Sequence, residues 1–484
     1  MTVSSYFNSC LNHWPKSTWA RVFLVRIAVT LWAIFMGLVG RPYDTSITLA
    51  PSPPDAPEIA PLDAYIIFIL APLANWDAVY FAAIARDGYA SEEFFAFFPF
   101  FAFILRVTGE AVFLLLDGAA SRRPALLIGG VLFNIAAGVV AALALERLSR
   151  AVGRSPRSAA RDAVVFAAGP LGIFGSALYS ENLFAALTFS GLAELEYAAA
   201  AARKNAKSLN IFSKKILLNF FAGCALLVCA AACRANGMLG GVFVLVAGTR
   251  VAFSTTTMTK MSVIVMRTAF LLVSFVGAAC VAVPFAGLAW HAFSLHCSGA
   301  SSSPSLPQWC NAAATAWYIP IPPVYAHVQR TYWDAGVPFG RWTLKHSPAL
   351  ILALPVVCVA AWGLIGVVLR LARTTSSNQE NKENSVENSV KILSYFARAI
   401  AVINSDLPYA LHLAALVTVG LVAAHAQVTT RLAAAASPAL SWYISDAWVT
   451  EGKGGKGIRL ALALWCGGYT LIGGALFCNA FNWT

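Results

Sequence analysis

Asn75–Pro99, NWDAVYFAAIARDGYASEEFFAFFP, is the stretch on which the folding of this chain turns. It sets Asp77, Glu92 and a run of aromatics beside long apolar segments. An ionisable group is costly inside a bilayer, so this stretch either lies in a polar loop or keeps its carboxylates for chemistry. Trp76, Val79, Tyr80, Ala83 and Ile84 recur at helical spacing and predict an amphipathic helix with Asp77 at its start. Asp77 then has two readings that the stretch alone leaves open. It caps the helix by accepting backbone N–H groups, or it is held there for reaction. Glu92 and Glu93 read at face value as a solvated face.

The surroundings are those of a polytopic membrane protein. Of 484 residues, 59% are hydrophobic and 12% charged, and the charged share is about half that of a soluble protein. Apolar runs of bilayer-crossing length recur at 19–40, 125–147, 163–179, 181–199, 216–233, 236–250, 267–290, 348–370, 406–425, 432–449 and 459–478, about eleven spans in one membrane domain over 1–484. The first is too long for the core of a cleavable leader and reads as a signal anchor.

Positive charge orients these spans. With the N-terminus cytosolic, Arg147, Arg150, Arg154, Arg157 and Arg161 share one cytosolic loop, and Arg203, Lys204, Lys207, Lys214 and Lys215 the next. Arg250, Lys260, Arg373, Lys382, Lys391, Lys453 and Lys456 follow on the same side. The opposite side receives a first large loop, 41–123, a second, 291–347, the region of His425 and the C-terminus. Residues 97–117 are apolar enough to cross, but counting them would move the five-arginine loop to the lumen. They are therefore expected as an interfacial or re-entrant amphipathic segment. The polar stretch 374–390 reads as a disordered cytosolic linker. The net charge of +12 thus serves topology, and no nucleic-acid motif accompanies it.

Of ten cysteines, seven lie in apolar runs as small core residues. Cys297 and Cys310 flank a Ser/Pro-rich loop and are placed to pair if that loop is luminal. No Cys/His set has zinc spacing, and no Asp-x-Asp motif occurs. No metal and no cofactor are expected.

Further polar clusters interrupt the apolar pattern: Ser176–Asn182 (SALYSEN), Arg234–Gly237 (RANG), Trp309–Cys310 with Tyr325–Trp333 (YAHVQRTYW), and His425–Arg431 (HAQVTTR) followed by Ser437-Pro438. Each has a plain structural reading: a tight turn, a helix break with a snorkelling arginine, an interfacial aromatic belt, a span end. Together, Asp77, Glu92, Glu181, Arg234, Gln329, His425 and Arg431 all fall on the luminal side.

These segments, in this order over about residues 75–440, resemble the GPI mannosyltransferase 2 (PIG-V) family. The chain departs at Lys345–Ala349, where the family carries Lys-Gln-x-Pro-Asn. The resemblance implies a GT-C-like all-α bundle whose long first luminal loop carries amphipathic helices and the active site. It implies transfer of the second mannose, in α-1,6 linkage, from dolichyl-phosphate mannose to the GPI precursor glycolipid in the endoplasmic reticulum membrane. A small membrane-protein subunit is a further expected partner. On this reading Asp77 is the general base of an inverting transfer. Trp76, Tyr80, Glu92, Tyr179, Glu181 and Gln329 bind substrate, and Arg234, His425 and Arg431 bind the lipid phosphate. The competing readings are another dolichyl-phosphate-sugar transferase and a polytopic lipid or solute transporter. The latter would line a mid-bilayer path with charge, often from repeated halves, and no repeat is visible.

Overall fold

The computed structural model describes residues 17–43, 60–205, 211–254, 261–297, 307, 309–310, 321–333, 347–380, 406–452, 454–481 and 483. Regular structure among them is helical: α1 (Thr18–Val39), α2 (Asp63–Leu70), α3 (Asp77–Asp87), α4 (Pro99–Leu115), α5 (Arg122–Ala151), α6 (Pro156–Ala168), α7 (Glu181–Lys204), α8 (Lys214–Ala231), α9 (Gly240–Ala252), α10 (Met261–His296), α11 (Val324–Trp333), α12 (Ser347–Glu380), α13 (Leu407–Val422), α14 (Thr429–Ala436), α15 (Pro438–Trp448) and α16 (Gly455–Cys478). Helices suit a bilayer because each satisfies its own backbone N–H and C=O groups.

Seven segments among the described residues are long and apolar enough to cross: α1, α5, α8, Ala235–Ala252, α10, the first part of α12 (Ser347–Arg373) and α16. Asp63–Ala74 and Leu407–Val422 are apolar but shorter. The protein is a multi-pass membrane protein. Helix α1 shows how such a segment is sorted. Its buried face is Val22, Arg26, Val29, Thr30 and Ala33 at helical spacing, while Trp19, Phe23, Leu24, Leu31 and Phe35 face outward.

Several expected spans take another form. The run 163–179 stops as α-helix at Ala168, because Pro170 lacks an N–H and biases Gly169 away from helix. A 3-10 turn, Gly172–Gly175, follows, with Gly172 at φ 51°. The run 432–449 is broken at Ser437-Pro438 into α14 and α15. The run 181–199 lies in α7, whose Glu181, Glu194 and Glu196 keep it out of the apolar set. Within 97–117, residues Pro99–Leu115 form the single unbroken helix α4, with Phe103, Val107, Leu114 and Leu115 exposed, so the chain does not turn back inside that helix. Helix α12 continues to Glu380, seven residues into the expected linker, because nothing in Thr374–Glu380 breaks a helix. The rest of the linker, 381–390, lies outside the described residues, as do 44–59 of the first loop and Lys345 in the second.

Two compact units divide the chain. The first comprises residues 1–86, 101–186 and 445–483, the second 87–100 and 187–444, with Thr484. In the first, α1 packs against α5, α6 and α16. Here Arg154 bridges Asp162 (2.7 Å) and Asp446 (2.6 Å), with Asp162 fully buried. In the second unit, α10 packs against α8 and α9, and α13 against α12 and α14. A second buried polar set lies there: Arg250 of α9 pairs with Glu196 of α7, and the Tyr409 hydroxyl of α13 donates to the same carboxylate at 2.7 Å.

Candidate active site

In the first unit the site is built around Asp77. Asn75 is anchored by its Nδ2, which donates to the Phe477 carbonyl at 3.1 Å. Trp76 follows at φ 59°, a left-handed conformation that costs a bulky residue roughly 1–3 kcal/mol and is concentrated at functional sites. The buried indole Nε1 meets no hydrogen-bond partner among the described residues. Asp77 then opens α3, partly exposed. Its backbone N–H donates to the Tyr179 hydroxyl at 3.1 Å. As the first helical residue, Asp77 also places its carboxylate at the positive end of the helix. Tyr80 sits one turn along the same helix.

Tyr179 is 1% exposed, and the turn that carries it is braced from several sides. Asn182 Nδ2 donates to the Gly175 carbonyl at 2.7 Å and to the Asn134 carbonyl at 2.8 Å. Asn134 Nδ2 donates to the carbonyls of Ala177 and, at 3.2 Å, Tyr179. Leu178 N–H donates to the Leu73 carbonyl at 3.0 Å, tying the turn to the segment just before Asn75. Glu181 is fully buried in the first turn of α7, where the helix N-terminus favours negative charge. The structure thus brings Trp76, Asp77, Tyr80, Tyr179 and Glu181 into one neighbourhood of the first unit.

In the second unit the ten-residue helix α11 is the organiser. Val324 and Val328 anchor it in a core with Phe95, Phe98, Leu288, Ala289, Ala292, Trp309 and Cys310. Its side chains and its last carbonyl meet several of the remaining residues singled out above, though not Arg431. The Tyr332 hydroxyl donates to Glu92 at 3.2 Å, His327 Nε2 lies 3.4 Å from Glu92, and Trp309 Nε1 donates to the same carboxylate. Glu92 is therefore held by three groups and is not a solvated face. Tyr325 hydrogen-bonds Gln329 near the Arg234 charge; burial is the largest influence on its phenol and raises its pKa, so it stays a neutral hydroxyl. His425 Nε2 donates to the Trp333 carbonyl, which commits that N–H. Arg431 is buried in α14. A disulfide joins Cys297 to Cys310 and holds Trp309 next to the core.

Among the described residues no group of three His, Cys, Asp or Glu side chains is arranged to hold a metal ion. Sequence reasoning missed Arg26, Asn134, His327 and Tyr325. The first two are polar residues inside apolar runs, and that was the available signal. The last two sit in the YAHVQRTYW stretch, where only contacts show which residues matter.

Buried polar side chains and a strained tryptophan among membrane-length helices mark candidate functional residues in each unit. The chain belongs to the mannosyltransferase (PIG-V) family, whose profile matches residues 19–484. It is a glycosyltransferase. It is 30% identical over 424 residues to the Mus musculus GPI alpha-1,6-mannosyltransferase 2, covering 80% of this chain and 76% of that protein. The Homo sapiens GPI alpha-1,6-mannosyltransferase 2 is 27% identical over 461 residues, 89% of this chain and 84% of that one. The Archaeoglobus fulgidus oligosaccharyltransferase crystal structure with a tethered acceptor peptide aligns over 94% of this chain and 55% of its own, with 12% identity and a TM-score of 0.45.

Proposed function

We propose that this mannosyltransferase adds the second mannose, in α-1,6 linkage, to the GPI precursor, using dolichyl-phosphate mannose on the luminal side of the endoplasmic reticulum. The N-terminus is cytosolic and the C-terminus luminal in this reading, and a small membrane-protein subunit is an optional partner. The observation that carries the chemistry is Asp77 at the start of α3, its backbone N–H tied to the buried Tyr179 and its predecessor Trp76 in a strained conformation.

An acceptor hydroxyl attacking an anomeric carbon needs a base aimed at its proton. Asp77 takes the proton of the acceptor 6-hydroxyl as the new C–O bond forms and the bond to the lipid phosphate breaks. A β-linked donor giving an α product is a single inversion, so one carboxylate suffices and no sugar–enzyme bond forms, unlike a retaining glycosidase. The lipid phosphate leaves as an anion, and Arg234 and Arg431 are the proposed groups that stabilise it, with His425 joining them as an imidazolium through Nδ1–H, since its Nε2–H serves the Trp333 carbonyl. Trp76 and Tyr80 offer aromatic surface to sugars, and Glu92 and Gln329 offer polar contacts; Tyr179 and Glu181, expected to touch substrate, are buried and act from behind Asp77 and the 172–180 turn. No metal and no cofactor enter this scheme.

The test is the profile of GPI intermediates in cells lacking this protein. A one-mannose precursor accumulates, wild type clears it, and Asp77→Ala at equal abundance does not. A normal profile without the protein, or full rescue by Asp77→Ala, overturns the assignment.

A further inference from the structure

Arg26 lies in the middle of the first membrane helix and is 1% exposed. An arginine there is expensive unless it is paired, yet among the described residues it meets no carboxylate. Its Nη2 donates to the Ser176 hydroxyl at 2.9 Å and its Nη1 to the Ala167 carbonyl at 3.3 Å. Thr30, one turn along the same helix, places its hydroxyl 2.9 Å from Ser176 Oγ. Two glycines keep the space open. A Cβ on Gly175 would come within 2.5 Å of Arg26 Nη2, and one on Gly138 within 2.8 Å of Asn182 Nδ2 and 3.4 Å of Arg26 Nε. The guanidinium therefore grips the ends of the segment 167–176, where α6 gives way to the 3-10 turn. Three residues beyond Ser176 the same turn delivers Tyr179, whose hydroxyl accepts from the Asp77 N–H.

We propose that Arg26 is a positioning residue for transfer, fixing through Ser176 and the 172–180 turn the Tyr179 hydroxyl that sets where the Asp77 carboxylate stands. The proposal rests on the reading of Asp77 as general base. An apolar residue of similar volume would pack a helix into this bundle without the desolvation cost of a guanidinium. A planar fork reaching a carbonyl and a hydroxyl nine residues apart holds both points at once. Fixing the acceptor's base within a few tenths of an ångström is where such rigidity counts, because misplacement of about 1 Å costs roughly a hundredfold in rate.

The test uses the full-length protein purified in detergent, with dolichyl-phosphate mannose and a one-mannose GPI acceptor. Arg26→Lys keeps the charge and loses the fork, and Tyr179→Phe deletes the hydroxyl. Each is expected to lower kcat about tenfold to hundredfold with the KM for donor within about twofold of wild type. Because both act on one chain of contacts, the double variant is expected to be no slower than the slower single variant. Multiplying losses in the double variant, or losses in KM alone, would show a merely structural arginine and overturn the proposal. If Arg26→Lys does not yield folded protein, Ser176→Ala removes the same hydrogen bond and enters the same cycle. Asp77→Asn is measured alongside. Wild-type kcat in that variant removes the base reading and this proposal with it, whereas an inactive Asp77→Asn with multiplying Arg26 and Tyr179 losses removes this proposal alone.

Discussion

Replacing Arg250 with methionine isolates the energetics of the buried charge set in the second unit. The Arg250 and Glu196 side chains are 6% and 8% exposed. Removing the cation leaves the Glu196 carboxylate with the Tyr409 hydroxyl at 2.7 Å and little water. Stripping one partner from such a pair costs about 3–5 kcal/mol, because the remaining charge stays desolvated. At about 1.4 kcal/mol per decade, the lower figure is roughly a hundredfold in the ratio of folded to unfolded protein. Glu196→Gln should cost a similar amount, since it removes the carboxylate paired with the buried guanidinium. The double variant Glu196→Gln/Arg250→Met removes both charges and keeps an amide oxygen for Tyr409, so it should recover to within about 1–2 kcal/mol of wild type. Half-life of the folded protein in detergent at a fixed temperature, followed by size exclusion, reports the order. An Arg250→Met half-life within twofold of wild type, or a double variant less stable than either single one, refutes the reasoning.

Arg431→Gln should raise the KM for dolichyl-phosphate mannose about tenfold or more while leaving the acceptor KM nearly unchanged, read from initial rates; an unchanged donor dependence removes Arg431 from the phosphate site. Cys297→Ser opens a loop of sequence separation 13 and should cost about 2–3 kcal/mol, with non-reducing alkylation analysis showing two fewer protected thiols. Protection unchanged from wild type would exclude the pairing. Trp76→Gly relieves a backbone held at φ 59°, so thermal stability should hold or rise by about 1 kcal/mol while kcat falls at least tenfold. A stability loss with activity retained would show that the indole serves packing alone.

The fold class was legible because apolar runs of bilayer length need no partner to be recognised. The breaks inside those runs were harder to read. Pro170 and Pro438 end helices through local backbone chemistry, yet averaged hydropathy across 163–179 and 432–449 conceals them. The candidate residues stood out where several polar and aromatic groups clustered, as in SALYSEN and YAHVQRTYW. Single polar residues in apolar surroundings did not. Arg26, Asn134 and Glu196 each depend on groups tens to hundreds of residues away, and no local pattern announces those partners. Glu92 shows the reverse case. Its position in a polar loop suggested solvent, whereas Trp309 and Tyr332, more than 200 positions later, occupy its oxygens.

The long separation between Arg26 and its partners also bears on how the protein is made. Ala167 and Ser176 follow Arg26 by 141 and 150 residues. At about 5–20 residues per second, a ribosome needs roughly 8 to 30 seconds to supply them. During that interval the first helix must enter the membrane with its arginine unsatisfied, at a cost of about 2.5–3.5 kcal/mol on insertion scales. The apolar remainder of the helix, with a mean hydropathy of 2.3, outweighs that cost, so the span is inserted before its arginine has a partner. Slowing synthesis between residues 26 and 176 would prolong that interval and expose the chain longer to membrane quality control.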